Sequence, residues 1–554
     1  MLRNGRAPPE RKTNRSGEIM NAKTKFFLNG LLLSAVGLAM RGSQLMLGAL
    51  VARALGAEGV GVNTLIMTVY SFALTLATSG ITLTVTRLVA EATGQGREHT
   101  SGALIRGAFL YALFFGSLSG VLLLLLARPL GLGVISSPIS VRALAVLSLS
   151  LVPSAVSAVV AGYFTAVRRV TLNAVTTVAS QLLRIGLTLV FVTRGGGIDP
   201  ILGISLGLTL SELAAALIAL PELLVDRYIS SRRLRGGSPA DPHSSATHGQ
   251  KLTAVLPRKS PARRICERAA VRPIAKMALP LAISAYLRSA LLTLEHNLIP
   301  RRLERHGQSR ADALADYGHL HGMALPLILY PMTPLSSFSG LLVPEFAEAK
   351  GAGSTSKMRN LATRALNTTL GYAVGVAVIL FLFSSPLGTV VYASREAGRF
   401  IAVLAPVIPI MYLDHVADSI LKGIGEHVYS MWVNIADAVL SVALVFFLLP
   451  RMGIVGYAAV ILGMEAFNFT LSIARLRSRI AFRIQPFTSA ILPLLAALAA
   501  TALTARLSLA RPKSAASLTL ALLLATAIFL IVLFILRRIF TLATAQTKKG
   551  SAPS

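Results

Sequence analysis

The sequence predicts an all-α polytopic membrane protein of about 14 transmembrane helices: two six-helix lobes related by a parallel pseudo-two-fold, plus two C-terminal helices. The first observation is that only 14% of its 554 residues are charged, against roughly 25% in soluble domains. The second is that 54% are hydrophobic and gather in uninterrupted runs. The third is that those runs reach about 20 residues, which at 1.5 Å each crosses a hydrocarbon core of about 30 Å. They are continuous and lack the period-2 alternation of a barrel strand. The net charge of +31 could suggest a nucleic-acid partner, but a single Trp and the apolar runs assign the basic residues to loops. No nucleic acid is expected as a partner. The one cysteine, Cys266, excludes an intramolecular disulfide and a cysteine-based zinc site.

In order, the expected spans are 26–51, 60–90, 103–127, 140–166, 171–193, 200–225, 273–299, 317–345, 361–383, 400–423, 430–449, 454–475, 487–509 and 515–537. Two of them, 60–90 and 317–345, are long enough to be kinked. With residue 1 inside, the inner segments hold 37 Lys or Arg and the outer segments 14. The positive-inside rule therefore places both termini in the cytoplasm. The start is basic and then apolar like a signal peptide, but thirteen more spans follow and no clear A-x-A site appears, so an uncleaved first helix is expected. Residues 1–25 form a basic cytoplasmic tail, in which Met20 is an alternative start, and 538–554 form the opposite tail.

Spans one to six (26–225) are separated from spans seven to twelve (273–476) by 226–272, a stretch of Arg, Gly, Ser, Pro and His. That composition buries nothing and predicts a flexible cytoplasmic linker. Its basic residues could touch anionic lipid headgroups at about 1 kcal/mol each. Residues 487–537 add the last two spans. A weak repeat supports two lobes: Leu88-Val-Ala-Glu-Ala92 and Glu345-Phe-Ala-Glu-Ala349 close the second helix of each set, 257 residues apart. An even number of helices per set keeps the copies parallel and puts a cavity between them.

Charges inside spans mark function, because an arginine at the bilayer centre costs roughly 2.5–3.5 kcal/mol to insert. Arg41 and Arg288 each lie about 15 residues into the helix that heads a lobe, so both are expected to line a cationic cavity. Glu295 shares the face of Arg288 two turns outward, and Arg53 closes the first span. Such a cavity suits an anionic substrate, since the planar fork of arginine pairs with phosphate oxygens. The competing structural reading pairs these arginines with Glu295, Asp437 or a broken-helix carbonyl. Arg184 is expected to pair with Glu212. Asp414, Asp418, Asp437 and Glu465 are intramembrane carboxylates, open to an ion, proton or structural role. Pro326, Pro331 and Pro334 predict a bent helix and a hinge. The histidines form no metal motif, and no metal, cofactor or catalytic residue is expected: there is no phosphate-cradling glycine loop, no nucleophile elbow and no sizeable soluble domain.

The stretches Glu295-His-Asn-Leu-Ile-Pro-Arg-Arg-Leu303, Ala313-Leu-Ala-Asp-Tyr-Gly318, His321-Gly-Met-Ala-Leu-Pro326 and Leu342-Val-Pro-Glu345 resemble the polysaccharide flippases of the multidrug/oligosaccharidyl-lipid/polysaccharide exporter superfamily, including its sporulation-linked branch. Ala52-Arg-Ala-Leu-Gly-Ala-Glu-Gly59 and Thr78-Ser-Gly-Ile81 carry the resemblance into the first lobe, and it extends over about 20–540. It implies a bacterial cytoplasmic-membrane flippase for undecaprenyl-diphosphate-linked glycans such as lipid II. Arg41 falls on the first of the cavity arginines of helix one; where a second is common, Leu47 and Gly48 stand. The alternatives are a cation-coupled multidrug exporter of the same superfamily and a non-transporting scaffold whose partners are cell-wall synthesis enzymes. The scaffold reading expects Arg41→Ala to be silent and loss of the linker not to be.

Overall fold

The computed structural model describes residues 15–78, 80–94, 98–167, 169–194, 197–236, 262–506, 512 and 514–550. In lipid an open segment must pair every backbone N–H and C=O within itself, so apolar runs become helices, and the described residues contain no strand. The order is α1 (Arg15–Thr78), α2 (Ile81–Gly94), α3 (Glu98–Arg128), α4 (Pro138–Ser148), α5 (Leu151–Ala166), α6 (Val170–Arg194), α7 (Pro200–Gly236), α8 (Ala262–Arg305) and α9 (Arg310–Tyr317). It continues with α10 (Leu325–Leu329), α11 (Thr333–Gly351), α12 (Thr355–Leu382), α13 (Ser384–Pro386), α14 (Arg395–Leu404), α15 (Ile408–Gly423), α16 (His427–Arg479), α17 (Leu492–Arg506) and α18 (Ala515–Gly550).

Among the described residues ten helices are long and apolar enough to cross a membrane, or up to 12 if each of two bent pairs is one span. The expected count of fourteen differs for a local reason. α1 covers expected spans one and two, and α16 covers eleven and twelve. Each is interrupted only at a glycine of positive φ, Gly56 (φ 66°) and Gly453 (φ 59°). The expected connections there shrink to left-handed glycines, a conformation that costs a residue with a Cβ roughly 1–2 kcal/mol. The expected kink in 60–90 falls at Gly80, also at positive φ (77°). Helix α1 begins inside the expected tail, and α7 and α8 extend into both flanks of the expected linker. Residues 1–14, 237–261 and 551–554 lie outside the described residues.

The chain divides into two compact units, one of 1–49, 323–433 and 461–554, the other of 50–322 and 434–460. In the first, α12 packs on α15 and α17, and α11 packs on α15. Ala496, Ala497 and Ala500 of α17 lie against Phe529 of α18. Lipid is as apolar as leucine, so such small residues hold helices together by letting their backbones approach. At one end of this unit Glu426 accepts from Arg475 Nη2 and pairs with Arg479 Nε, both at 2.7 Å. The hydrogen bond from Arg475 holds that carboxyl below the usual carboxylate range.

In the second unit α6 packs on α7, α2 on α5, and α3 on α5 and α8. Carboxylates of α7 tie it to its neighbours: Glu212 accepts from Ser154 Oγ (2.9 Å), Glu222 from Thr176 Oγ1 (2.7 Å) and Asp226 from Tyr163 Oη (2.8 Å). Arg169 pairs with Asp226. Arg184 is half-buried within electrostatic reach of Glu212 and Tyr70. The closest backbone approaches are at Gly61, where a methyl would overlap the Leu314 carbonyl, and at Gly318, where it would overlap that of Ala57. Backbone cannot step aside as a flexible side chain can. Gly61→Ala is therefore expected to lower the melting temperature by the equivalent of about 1–3 kcal/mol, the usual cost of overpacking. Gly48→Ala, with nothing within 4 Å of the added methyl, should leave it unchanged or raised. Fluorescence-detected size-exclusion after a heating series separates the two, and equal losses would refute the packing argument.

Candidate functional site

The prolines between α10 and α11 create the most unusual backbone of the first unit. Pro331 and Pro334 have no N–H, so Leu327 and Tyr330 lose their helical i+4 donors. The chain answers by tightening Tyr330–Met332 into a 3₁₀ turn: the Tyr330 amide bonds the Leu327 carbonyl, and the Thr333 amide bonds that of Tyr330. Thr333 Oγ1 donates to the same Tyr330 carbonyl at 2.7 Å. The same turn gives the Leu329 carbonyl the Met332 amide, three residues on, and leaves its second lone pair for a side-chain donor. Pro326 is different: it sits in the first turn of α10, directly after the π turn Gly318–Ala324, where a missing N–H is tolerated.

Three side chains supply donors to this break. Arg41 Nη1 donates to the Leu329 carbonyl at 3.1 Å, Tyr412 Oη to that of Ile328 at 2.8 Å and Tyr372 Oη to that of Pro331 at 2.5 Å. The tyrosine rings stack, centroids 6.2 Å apart. Helix α1 runs beside the break at two glycines, where an added methyl would make ordinary van der Waals contact. A methyl at Gly42 would sit 3.4 Å from Tyr330 Oη, and one at Gly37 3.4 Å from Thr333 Cγ2. Arg41 is half-buried, and among the described residues no carboxylate pairs with it. Its structural neighbour is thus the broken-helix carbonyl, and its charge is left without a counter-charge. His415 on α15 lies within electrostatic reach of Arg41, Asp418 and Lys422.

The other expected residues are dispersed. Arg288 is exposed on α8 and makes no hydrogen bond or ion pair among the described residues, so it does not join Glu295. Glu295 is buried and accepts from Ser441 Oγ at 2.7 Å, within electrostatic reach of Asp437. Arg53 is exposed, and Asp414, Asp437 and Glu465 are half-buried, each of the four with a polar partner. Asp418 pairs with Lys422 at 2.5 Å. In the second unit His296 Nδ1 meets Tyr317 Oη at 2.7 Å, and His321 Nε2 meets Tyr457 Oη at 2.5 Å. Among the described residues no three His, Cys, Asp or Glu are grouped to hold a metal. Sequence reasoning missed Tyr372, Tyr412 and this histidine–tyrosine cluster; the available signal was a tyrosine amid a lipid-length run, since a buried O–H needs an acceptor.

Known proteins resemble this chain in sequence and in fold. A family profile described as polysaccharide biosynthesis protein matches residues 27–350, more than half of the chain. The chain belongs to the polysaccharide biosynthesis protein family. A second profile, MatE, matches residues 321–447 of this polysaccharide biosynthesis protein. It is 26% identical over 462 residues to stage V sporulation protein B of Bacillus subtilis (strain 168), covering 80% of this chain and 82% of that protein. A structure of the lipid II flippase MurJ in an inward closed conformation superposes with TM-score 0.65 at 13% identity, over 92% of this chain and 100% of the other. An inward-facing multidrug resistance transporter of the MATE family and MOP superfamily gives 0.60 at 16%, over 81% and 100%. This member of the polysaccharide biosynthesis protein family is accordingly a multi-pass membrane protein that shares the fold of those two structures.

Tyr372→Phe leaves the Pro331 carbonyl without its side-chain donor. Thermal unfolding in detergent should register a loss of about 0.6–1.7 kcal/mol, the range for interhelical hydrogen bonds in membranes. An unchanged transition would mean that the hydroxyl is not needed at the break.

Proposed function

We propose that this protein is a flippase that carries undecaprenyl-diphosphate-linked cell-wall or polysaccharide precursors, lipid II-like in chemistry, from the inner to the outer leaflet of a bacterial cytoplasmic membrane. In this reading both termini are cytoplasmic and the lobes 26–225 and 273–476 alternate in access around a cationic cavity, with 487–537 at their flank. The observation that carries it is Arg41: a half-buried guanidinium within an apolar helix, bonded to one peptide carbonyl and, among the described residues, paired with no carboxylate. A charge kept in lipid at such cost calls for an anion, and a diphosphate offers paired oxygens to its fork. The likeness to stage V sporulation protein B and to the fold of a lipid II flippase supports the same substrate class. Arg288, and Arg53 with its own polar partner, are exposed and in this reading meet phosphate or headgroups at other stages of the path.

The second reading, a cation-coupled exporter, draws on Glu295 and Asp437, two intramembrane carboxylates within electrostatic reach of each other. The test is lipid II in proteoliposomes, followed as it reaches the opposite leaflet, with and without an imposed potential. Arg41→Ala is expected to cut the initial rate about ten- to hundred-fold, from the ~1.5–3 kcal/mol of a hydrogen bond to a charged group. Arg41→Lys, which keeps the charge but not the fork, should fall between. If wild type moves no lipid II under either condition, lipid II is excluded; drug efflux that needs Glu295 would then establish the exporter.

A further inference from the structure

We infer that the corner where α12 meets α17 and α18 binds one anionic phospholipid, its headgroup on Arg364, Arg483 and Arg537 and one acyl chain in an apolar groove below them. The site lies wholly within the first unit and does not depend on which substrate the protein carries. Its charge begins in the sequence: residues 349–395 and 466–554 contain no Asp or Glu, while 466–554 alone hold 11 Lys or Arg. Helices α12, α17 and α18, and the stretch between α16 and α17, therefore offer these arginines no carboxylate. The fold then brings three of them to one strip. Asn367 staples the stretch before α17 to α12: its Nδ2 donates to the Arg483 carbonyl, and its Oδ1 accepts from the Gln485 amide and from Ser489 Oγ, each at 2.8 Å. The Arg483 amide donates to Thr363 Oγ1 at 3.3 Å, which sets Arg483 beside Arg364. Arg364, Asn367 and Gly371 share one face of α12. Gly371 stands two turns, about 10 Å, beyond Arg364, and Arg537 Nη2 lies 3.3 Å from where a methyl on Gly371 would be. All three arginines are exposed, and among the described residues none of their guanidinium groups makes a hydrogen bond or ion pair.

The same face of α12 continues as carbon. Val378 and Leu382, with Phe381 and with Leu494 and Leu498 of α17, line a groove of about 350 Å³ that has no polar wall. Its rim is open, since Phe381, Leu382, Leu494 and Leu498 are all exposed. Pro493, 3.4 Å from the methyl position on Gly371, joins the strip to the groove. A methylene needs roughly the 30 Å³ of a water molecule, so the groove takes about a dozen carbons. That is most of one fatty acyl chain and only a small part of a polyprenyl tail. Phosphate oxygens suit the guanidinium forks, and an acyl chain suits leucine and phenylalanine. A cationic strip above one chain-sized groove thus has the two halves of a phospholipid. Bound there, the lipid ties α17 and α18 to α12 across a corner that the protein leaves without counter-charge.

The experiment is native mass spectrometry of the full chain, released from micelles that hold phosphatidylglycerol and phosphatidylcholine in equal amounts with matched acyl chains. Wild type should retain phosphatidylglycerol about ten-fold over phosphatidylcholine, as expected when basic side chains meet an anionic headgroup. Arg364→Gln, Arg483→Gln and Arg537→Gln together should abolish that preference. Arg128→Gln, Arg142→Gln and Arg395→Gln together remove the same charge elsewhere and should keep it. Leu498→Trp, which fills the groove and leaves the strip intact, should cut retention several-fold. Thermal unfolding without added lipid reads the folding of each variant; if the first triple variant does not fold, Arg364→Gln alone should lower the preference a few-fold. Equal retention of the two lipids by wild type would overturn the site. So would a preference that survives loss of the strip arginines, or one that the control triple variant also loses. Displacement of the lipid by inorganic phosphate, or tighter retention of undecaprenyl phosphate than of phosphatidylglycerol, would overturn the phospholipid as its occupant.

Discussion

A broken helix inside a membrane must find its hydrogen-bond donors within the protein, because lipid has none to lend. That requirement organises the first compact unit. Two prolines remove donors, the backbone tightens into a 3₁₀ turn, and three side chains converge on the carbonyls left over. The helices that carry those side chains are placed by the need to deliver them. Helix α1 passes the break at Gly37 and Gly42, and the stacked tyrosines set α12 and α15 against it. The donors differ in kind, two neutral phenols and one guanidinium, and the difference gives the site its chemistry. A phenol bonded to a carbonyl is complete, whereas a guanidinium so bonded still carries its charge.

The second unit has breaks of its own, at Gly80 and at two bends of 42° and 43°, and it ties its helices with many polar pairs. Its carboxylates on α7 each find a hydroxyl or a cation on a neighbouring helix, and Glu295 finds Ser441. Arg41 contrasts with all of them, since they are matched and it is not.

The helical, membrane-spanning class was readable from the runs alone, as were the bends at Gly80 and at the prolines of 325–344. These are local matters of length, φ and missing N–H groups. The number of separate helices was not readable. A connection between spans can be a loop or a single left-handed glycine, and Gly56 and Gly453 look like many other glycines in the chain. The partners of the break were also hidden. Arg41 lies 288 residues from Leu329, Tyr412 84 from Ile328 and Tyr372 41 from Pro331, distances over which pattern carries no information. A broken-helix carbonyl as the partner of Arg41 stood among the possibilities, but which carbonyl depended on where the chain tightened into its 3₁₀ turn. Arg288 and Glu295 share a helix and a register, yet packing separated them: one is exposed and the other buried against Ser441.

The 288 residues between Arg41 and its carbonyl also set a clock on biogenesis. Helix α1 is made first, and at about 5–20 residues per second the ribosome needs roughly 15–60 s to reach Leu329. For that interval the guanidinium stands in or beside the bilayer without its folded partner, at a cost an insertion site can relieve only with water, headgroups or an assisting protein. The newborn N-terminal half is thus an incomplete molecule that must be held, and the arrival of the proline-broken helix is the event that lets α1 settle.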